Sequence, residues 1–239
     1  MLKFILVIHG LILIFADGSG KAGLTFEATN NALALQRINA TNTHAGGWEK
    51  SELRGRLNTG DLWSLLPCEL QSKVKSVTKM TDNLGGGKAG TPSATTDKVF
   101  LLSMTEVYGD LQSDGAQYEY YKSKGVTTSN YSSASSSSYH WTRSAHPSNS
   151  ASFRCVHSNG SYDYYSATNI YCVFSAFCFL PHLQPMKSPC DSARAFHLAT
   201  KRTILVLRHS YRFEEKWGHT AALRAPAALP CHYPCGVLV

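Results

Sequence analysis

Charge is scarce in this chain. Of 239 residues only 16% are Asp, Glu, Lys or Arg. Between residues 129 and 171 there is no Lys, no Glu and a single carboxylate, Asp163. A paired-carboxylate active site there would need a partner from a distant part of the sequence. The recurring catalytic and cofactor signatures are also missing: no HExxH, GxSxG, Rossmann glycine pattern or EF-hand loop occurs. "DNLGGGKAG" (82–90) has the glycines and lysine of a phosphate loop, but Lys88 is followed by Ala89 where that loop needs Ser or Thr. No cofactor is expected.

The formal net charge of +7 is unevenly placed. Residues 182–239 hold eight Lys/Arg against three acids, which leaves 15 basic and 13 acidic residues in 1–181. A near-neutral body is not built to grip nucleic acid with a basic face. The basic tail suits polyanion contact or plain solubility. A hydrophobic content of 43% fits a chain with a real core. The length allows one domain plus an appendage. The expected division is a single domain over 1–181 and a basic, poorly structured or atypical extension over 182–239.

Seven cysteines, at 68, 155, 172, 178, 190, 231 and 235, match no disulfide framework. Cys172 and Cys178 sit in an apolar run and are expected to be buried free thiols. Cys231 and Cys235 form a lone CxxxC without the second ligand pair that zinc needs. His140, His146 and His157 are close in sequence, but spacings of six and eleven through a Pro-containing loop are not a ligand motif, so no metal is expected. Cys155 and His157 would share one face of a strand. A buried, inert thiol is the expected state of Cys155. Asn39, Asn130 and Asn159 open N-x-[ST] sequons, which matter only on a eukaryotic secretory route.

The N-terminus "MLKFILVIHGLILIFADGSG" resembles a signal peptide, with one Lys and an apolar stretch from Phe4 to Phe15, though its cleavage signal is poor. Twelve residues are too few for a membrane-spanning helix. The alternative is one or two buried strands. Further on, "LTFEATNNALALQRIN" (24–39) starts like a strand, with Leu24, Phe26 and Ala28 on one face. "GGWEKSELRGRLN" (46–58) predicts a helix carrying Leu53 and Leu57, and a second helix is expected after Pro67, with Leu66, Leu70 and Val74 as its apolar stripe. "DKVFLLS" (97–103) reads as a buried strand, and Ser103 to Glu106 as a capping box. "ASFRCV" (151–156) is a strand pattern followed by a hairpin turn at "SNGS" (158–161). "YCVFSAFCF" (171–179) reads as a strand buried on both faces. "TILVLRHSYRF" (203–213) is a further strand pattern in the tail.

Through this runs a polar stretch in which Ser, Tyr, Asn and His make up 27 of the 43 residues 129–171. A low-complexity loop set is one reading. The other is a contact surface: Tyr gives large area with a polar tip at low entropy cost, and Ser and Asn add adaptable hydrogen bonds. Six tyrosines spread among strand patterns favour the contact surface.

Several ordered blocks resemble one family. They include "ADGSGKAGLTFE" (16–27), "TNTHAGGWEKSELRGRLN" (41–58), "LPCELQSKVKSVTK" (66–79), "TTDKVFLLSMTEVYG" (95–109), "GAQYEYY" (115–121), "WTRSAHPSNSASFRCVHSNG" (141–160) and "VFSAFCF" (173–179). Together they are similar to a bacterial and phage family known as domain of unknown function 6273, over roughly 16–180. Its members occur in gut-type Firmicutes and their phages and look related to C-type-lectin-like folds. That scaffold serves formylglycine-generating enzymes and diversified phage receptor-binding proteins. The resemblance implies that the apolar N-terminus is the first strand of the domain. It also implies that Trp48, Trp141 and Arg143 are scaffold positions, with Arg143 needing a buried partner. It carries over no catalytic residues. The chain departs from the family's Gly-Val start before "AFC", and 182–239 has no counterpart. The Glu-Pro-Asn, Gln-Pro-Asp and Trp-Asn-Asp motifs of calcium-dependent sugar binding are absent.

The resulting expectation is an α+β, C-type-lectin-like fold. Two helices, about 48–58 and 67–76, would pack on a twisted, mostly antiparallel sheet built from both ends of the domain. The expected role is non-enzymatic binding or display at a virion or bacterial cell surface, with a cytoplasmic location as the alternative. A protein or glycan on a cell surface is the expected partner; oligomeric state is not specified by these features. The contact candidates are Tyr139, His140, Arg154, His157, Tyr162, Tyr164, Tyr165, Asn169 and Tyr171. The rivals are a cysteine-dependent oxidase on the same scaffold and a purely structural surface component. On the contact reading, Tyr164→Ala combined with Tyr165→Ala weakens ligand binding without unfolding the domain, and equal binding by the double variant would count against it.

Overall fold

The computed structural model describes residues 33–179 and, ahead of them, four short strands. These are β1 (Phe4–Ile5), β2 (Leu13–Ile14), β3 (Lys21–Ala22) and β4 (Leu24–Ala28). Four short helices follow: α1 (Gly47–Lys50), α2 (Glu52–Asn58), α3 (Asp61–Ser64) and α4 (Cys68–Gln71). Next come β5 (Val74–Lys75), β6 (Val77–Thr81), β7 (Ser93–Asp97) and β8 (Val99–Phe100), then α5 (Met104–Tyr108) and α6 (Glu119–Ser123). The last four strands are β9 (His140–Ala145), β10 (Ser152–Val156), β11 (Tyr162–Ser166) and β12 (Ala176–Phe179). The class is α+β with antiparallel sheets, as expected. The tail's strand pattern at 203–213 and its CxxxC lie outside the described residues.

The main sheet joins the two ends of the domain. β4 and β12 pair antiparallel with Phe26 opposite Phe177 and Thr25 opposite Cys178. The Phe26 and Phe177 rings stack at 5.8 Å. β1 extends the sheet beyond β4, while β5 and β8 pair with the other edge of β12. A second sheet has the order β11-β10-β9, and β6 and β7 form a separate antiparallel ribbon. The apolar N-terminus thus contributes β1 and β2. Thr25 and Glu27 are buried as well as Phe26 and Ala28, so β4 is covered on both faces.

Four predicted elements differ in detail, the first being the buried strand expected over 97–103, of which Val99–Phe100 forms β8 while Asp97 ends β7. The helix expected over 46–58 breaks at Ser51, which ends α1 and caps α2 by accepting the Arg54 N–H on its hydroxyl at 3.3 Å. Such a cap satisfies an otherwise orphaned helix donor. The helix expected over 67–76 stops at Gln71, because Val74 and Lys75 find backbone partners on the free edge of β12. Leu66, Leu70 and Val74 are nevertheless all buried. The apolar run 171–179 is not one strand: only Ala176–Phe179 forms β12, and Tyr171 and Cys172 make isolated bridges to Gln36 and His140. Gly47 shows why the α1 entry needs glycine. Its φ is +56°, and a Cβ there would lie 2.5 Å from the backbone of Asn83.

The capping box at Ser103 forms as predicted. The Ser103 hydroxyl accepts the Glu106 N–H, and the Glu106 carboxylate accepts the Ser103 N–H at 2.9 Å. Glu106 does more than cap. Its carboxylate is buried between Arg143 of β9 and Lys79 of β6, and it pairs with both. Arg143 spends its remaining donors on Thr81 Oγ1 and on the carbonyls of Leu101, Met80 and Asp114, at 3.0–3.1 Å. Lys79 donates to the Tyr118 hydroxyl at 3.1 Å and lies 4.3 Å from the centre of the Phe100 ring. Burial alone would raise the Glu106 pKa; Arg143 and then Lys79 outweigh it and hold it at about 2. Removing one partner of such a pair leaves uncompensated charge in the core. Glu106→Gln is expected to cost about 3–5 kcal/mol, read as a fall in the urea midpoint; a loss below about 1 kcal/mol would place it in the range of an exposed ion pair.

A second buried carboxyl behaves in the opposite way. Glu27 on β4 has one described side-chain partner, the Tyr121 hydroxyl at 3.0 Å. Burial, only partly opposed by that bond, raises its pKa from 4.5 to about 8. At neutral pH the folded chain therefore holds a proton that the unfolded chain has lost. This contribution to stability is full below pH 4.5 and is lost as pH rises towards 8. Glu27→Gln is expected to flatten that part of the stability–pH curve and to raise the melting temperature at pH 8. An unchanged slope would rule out this assignment.

Candidate functional site

The sheet β11-β10-β9 carries most of the polar stretch, and its register sorts the contact candidates. β10 pairs with β11 through Phe153 opposite Tyr165, Arg154 opposite Tyr164, Cys155 opposite Asp163 and Val156 opposite Tyr162. Residues directly across a ladder share a face, and successive residues alternate. Tyr164 and Tyr165 therefore point to opposite sides of the sheet. So do Arg154 and His157.

On one side four rings form a continuous group. Tyr139 stacks on His157 at 4.2 Å with the planes 7° apart. His157 also faces Tyr165 at 6.0 Å, and Tyr165 meets Tyr171 at 5.1 Å. Trp141, fully buried, supports the group from below: it takes Tyr171 edge-on at 4.9 Å and donates its indole N–H to the Gln36 carbonyl at 2.8 Å. Asn169 reaches the Tyr171 hydroxyl at 3.5 Å, and Asp163 lies 3.8 Å from His157. Tyr139 is 40% exposed, whereas His157, Tyr165, Asn169 and Tyr171 are half-buried. Rings held this way expose area without a large ordering cost on binding.

On the other side are Arg154, Tyr162 and Tyr164, joined by His146. Tyr164 is 42% exposed and packs on the His146 ring at 3.9 Å. Tyr162 leans on the buried Tyr108 at 5.5 Å, and the Arg154 guanidinium sits 5.8 Å from the Tyr162 ring centre. His146 belongs with this group, although its sequence neighbourhood gave no reason to place it there: only the register of β10 and β11 brings Tyr164 back to it.

His140 is the candidate that the fold removes from the surface. It is 7% exposed, its ring stacks on Phe174 at 4.1 Å, and its Nδ1 lies 3.3 Å from both the Ser136 hydroxyl and the Ser138 carbonyl. Burial lowers its pKa to about 4, so it is neutral at pH 7 and fixes the loop below the face. The serine run 135–138 is tied down by the same contacts, with the Ser136 N–H bonded to the Ser158 carbonyl at 2.9 Å. Gly160 closes the hairpin at φ +88°, where a Cβ would lie 2.1 Å from the Tyr131 carbonyl. Trp48 and Arg143 are likewise fully buried, and the Trp48 indole N–H points at Asp97 at 3.4 Å.

Among the described residues, no group of three His, Cys, Asp or Glu side chains converges in a metal-like arrangement. Cys155 shares the His157 side of β10 but is fully buried, and burial pushes its thiol up to about 12. Cys178 is pushed up to about 11 for the same reason. No helix among the described residues is long and apolar enough to cross a membrane.

The site and fold together define an α+β domain whose main sheet pairs β4 with β12 and whose second sheet carries rings on both sides. The chain belongs to the family described as domain of unknown function (DUF6273), whose model matches residues 23–181. No curated protein and no solved structure matches it.

The thiols give a direct check. Cys68 is exposed, whereas Cys155, Cys172 and Cys178 are buried. Iodoacetamide labelling of the native chain, mapped by mass spectrometry, is expected to modify Cys68 and spare those three until denaturant is added. Fast labelling of Cys155 in the native state would contradict the burial and reopen a thiol chemistry.

Proposed function

We propose that the domain is a non-enzymatic binding or display module that recognises a protein or glycan on a cell surface. Phage receptor binding or bacterial surface recognition is the role it suits. The observation that carries this reading is the Tyr139–His157–Tyr165–Tyr171 ring group, accessible to solvent yet braced from below by Trp141. Aromatic anchors in a polar rim dominate many interfaces. Few charges compete with such rings for water, since Asp163 and Arg154 are the only charged residues of β10 and β11.

The finer fold reading, a C-type-lectin-like domain, belongs to the same proposal. It is supported by the pairing of β4 with β12, which leaves the second sheet as an excursion between two strands of the first. A virion or bacterial surface is the location that goes with this role. The rival oxidase reading draws no support from Cys155 or Cys178, whose buried thiols are poor nucleophiles at neutral pH. A purely structural component is separated from a binding module by saturable binding alone.

The test is a screen of the purified chain against intact bacterial cells and a glycan array. Saturable binding is expected, and Tyr165→Ala should weaken it at least about tenfold, as loss of an interface anchor does, with the melting temperature nearly unchanged. Because Tyr164 and Tyr165 face opposite ways, Tyr164→Ala should leave binding by the ring group intact. Absence of any saturable binding would favour the structural component.

A further inference from the structure

The side of β10 and β11 opposite the four-ring group holds a cation, Arg154, that forms no ion pair with any described residue. Among the described residues, each of the other partly or fully buried arginines is paired with an acid: Arg54 with Asp97, Arg56 with Asp61, and Arg143 with Glu106. Arg154 has no ion pair among the described residues, and its buried Nε finds no hydrogen-bond partner among them. Half-buried, it is flanked by Tyr162 and by the exposed Tyr164 with its partner His146. Its cross-strand neighbour on the ladder is Tyr164, and not an acid. A desolvated guanidinium left this way is costly unless something supplies the missing acceptor.

We infer that Arg154, with Tyr164 and His146 beside it, forms a subsite for a carboxylate carried on a hydroxylated ring, that is, an acidic sugar. This deepens the binding-module reading and rests on it. A guanidinium fork matches the two oxygens of a carboxylate in a way that a point charge does not. The Tyr164 ring offers a flat face for the body of the sugar.

Charge argues for a carboxylate over a phosphate dianion. The site has one cation only, since burial first and then the nearby Arg154 lower the His146 pKa and keep that ring neutral at pH 7. Asp114 and Asp163 both act on Arg154 from a distance, and their fields oppose a second negative charge on the ligand. Surface chemistry argues for a sugar over an acidic protein segment. Protein interfaces want a central apolar patch, and Ile170 is the only exposed aliphatic side chain of leucine size among residues 129–171.

The test is an NMR titration of the full chain with sialyllactose, its neutral parent lactose, inorganic phosphate and an oligoglutamate peptide. Sialyllactose is expected to shift the ring signals of His146 and Tyr164 at least about tenfold more tightly than lactose does, a margin typical of losing one charged partner. Arg154→Gln should abolish that preference without moving the melting temperature by more than about 2 °C, within the range of surface substitutions. Arg154→Lys, which keeps the charge but loses the fork, should also weaken it, and it decides the matter if the Gln variant does not fold. The subsite is overturned if sialyllactose and lactose behave alike, if either Arg154 variant keeps the full preference, or if phosphate or oligoglutamate binds as well or better. Loss of cell binding in Tyr165→Ala together with any of these outcomes sinks the Arg154 subsite alone and leaves the binding module standing.

Discussion

The structure depends on one carboxylate. Glu106 sits where α5, β6 and β9 meet, pairs with Lys79 and Arg143, and closes the capping box at Ser103. Burial works against the charges in this cluster, and it is tolerable because every Arg143 donor group has an acceptor and Lys79 also reaches Tyr118 and the Phe100 face. Such a cluster adds little net stability over a well-packed apolar core, but it penalises any other arrangement heavily. Its effect is to fix where β9 lies. β9 in turn fixes β10 and β11, on which both groups of rings stand.

That support explains how a stretch with so little apolar content holds its shape. Phe153, Cys155 and Val156 of β10 are buried, so the strand is anchored from within even though its neighbour β11 is half-exposed throughout. The hairpin tip is held by the Tyr108 hydroxyl donating to the Gly160 carbonyl at 2.5 Å. The serine run is held by Ser158 and His140. The backbone around the exposed tyrosines is thereby held by contacts within the chain itself.

Local chemistry was legible in the sequence where a few neighbouring residues decide the outcome. The capping box at Ser103, the hairpin turn at Asn159 and Gly160, and the strand over 151–156 needed no distant partner, and they form where expected. The family resemblance implied a buried partner for Arg143, but nothing near it in the sequence identified Glu106. The second helix failed for the same reason: the periodicity of Leu66, Leu70 and Val74 is helical, and only the open edge of β12 draws Val74 into a sheet. At the candidate site, composition marked the right segment but not its two sides. Tyr164 and Tyr165 are neighbours in sequence and strangers in space. His140 looked like a surface group among serines, yet Phe174, thirty-four residues on, covers it.

The pairing of β4 with β12 has a consequence for how the chain is made. Leu24 emerges from the ribosome early, and its partner Phe179 comes last among the described residues. Contacts of such long sequence separation form slowly, because the loop between them must be closed before they are rewarded. During synthesis β4 waits with an open edge, and open edges invite pairing with other chains. The domain cannot complete its main sheet until the sequence through 179 is available, so a truncated translation product would retain an exposed β4 and be marked by it for aggregation or degradation.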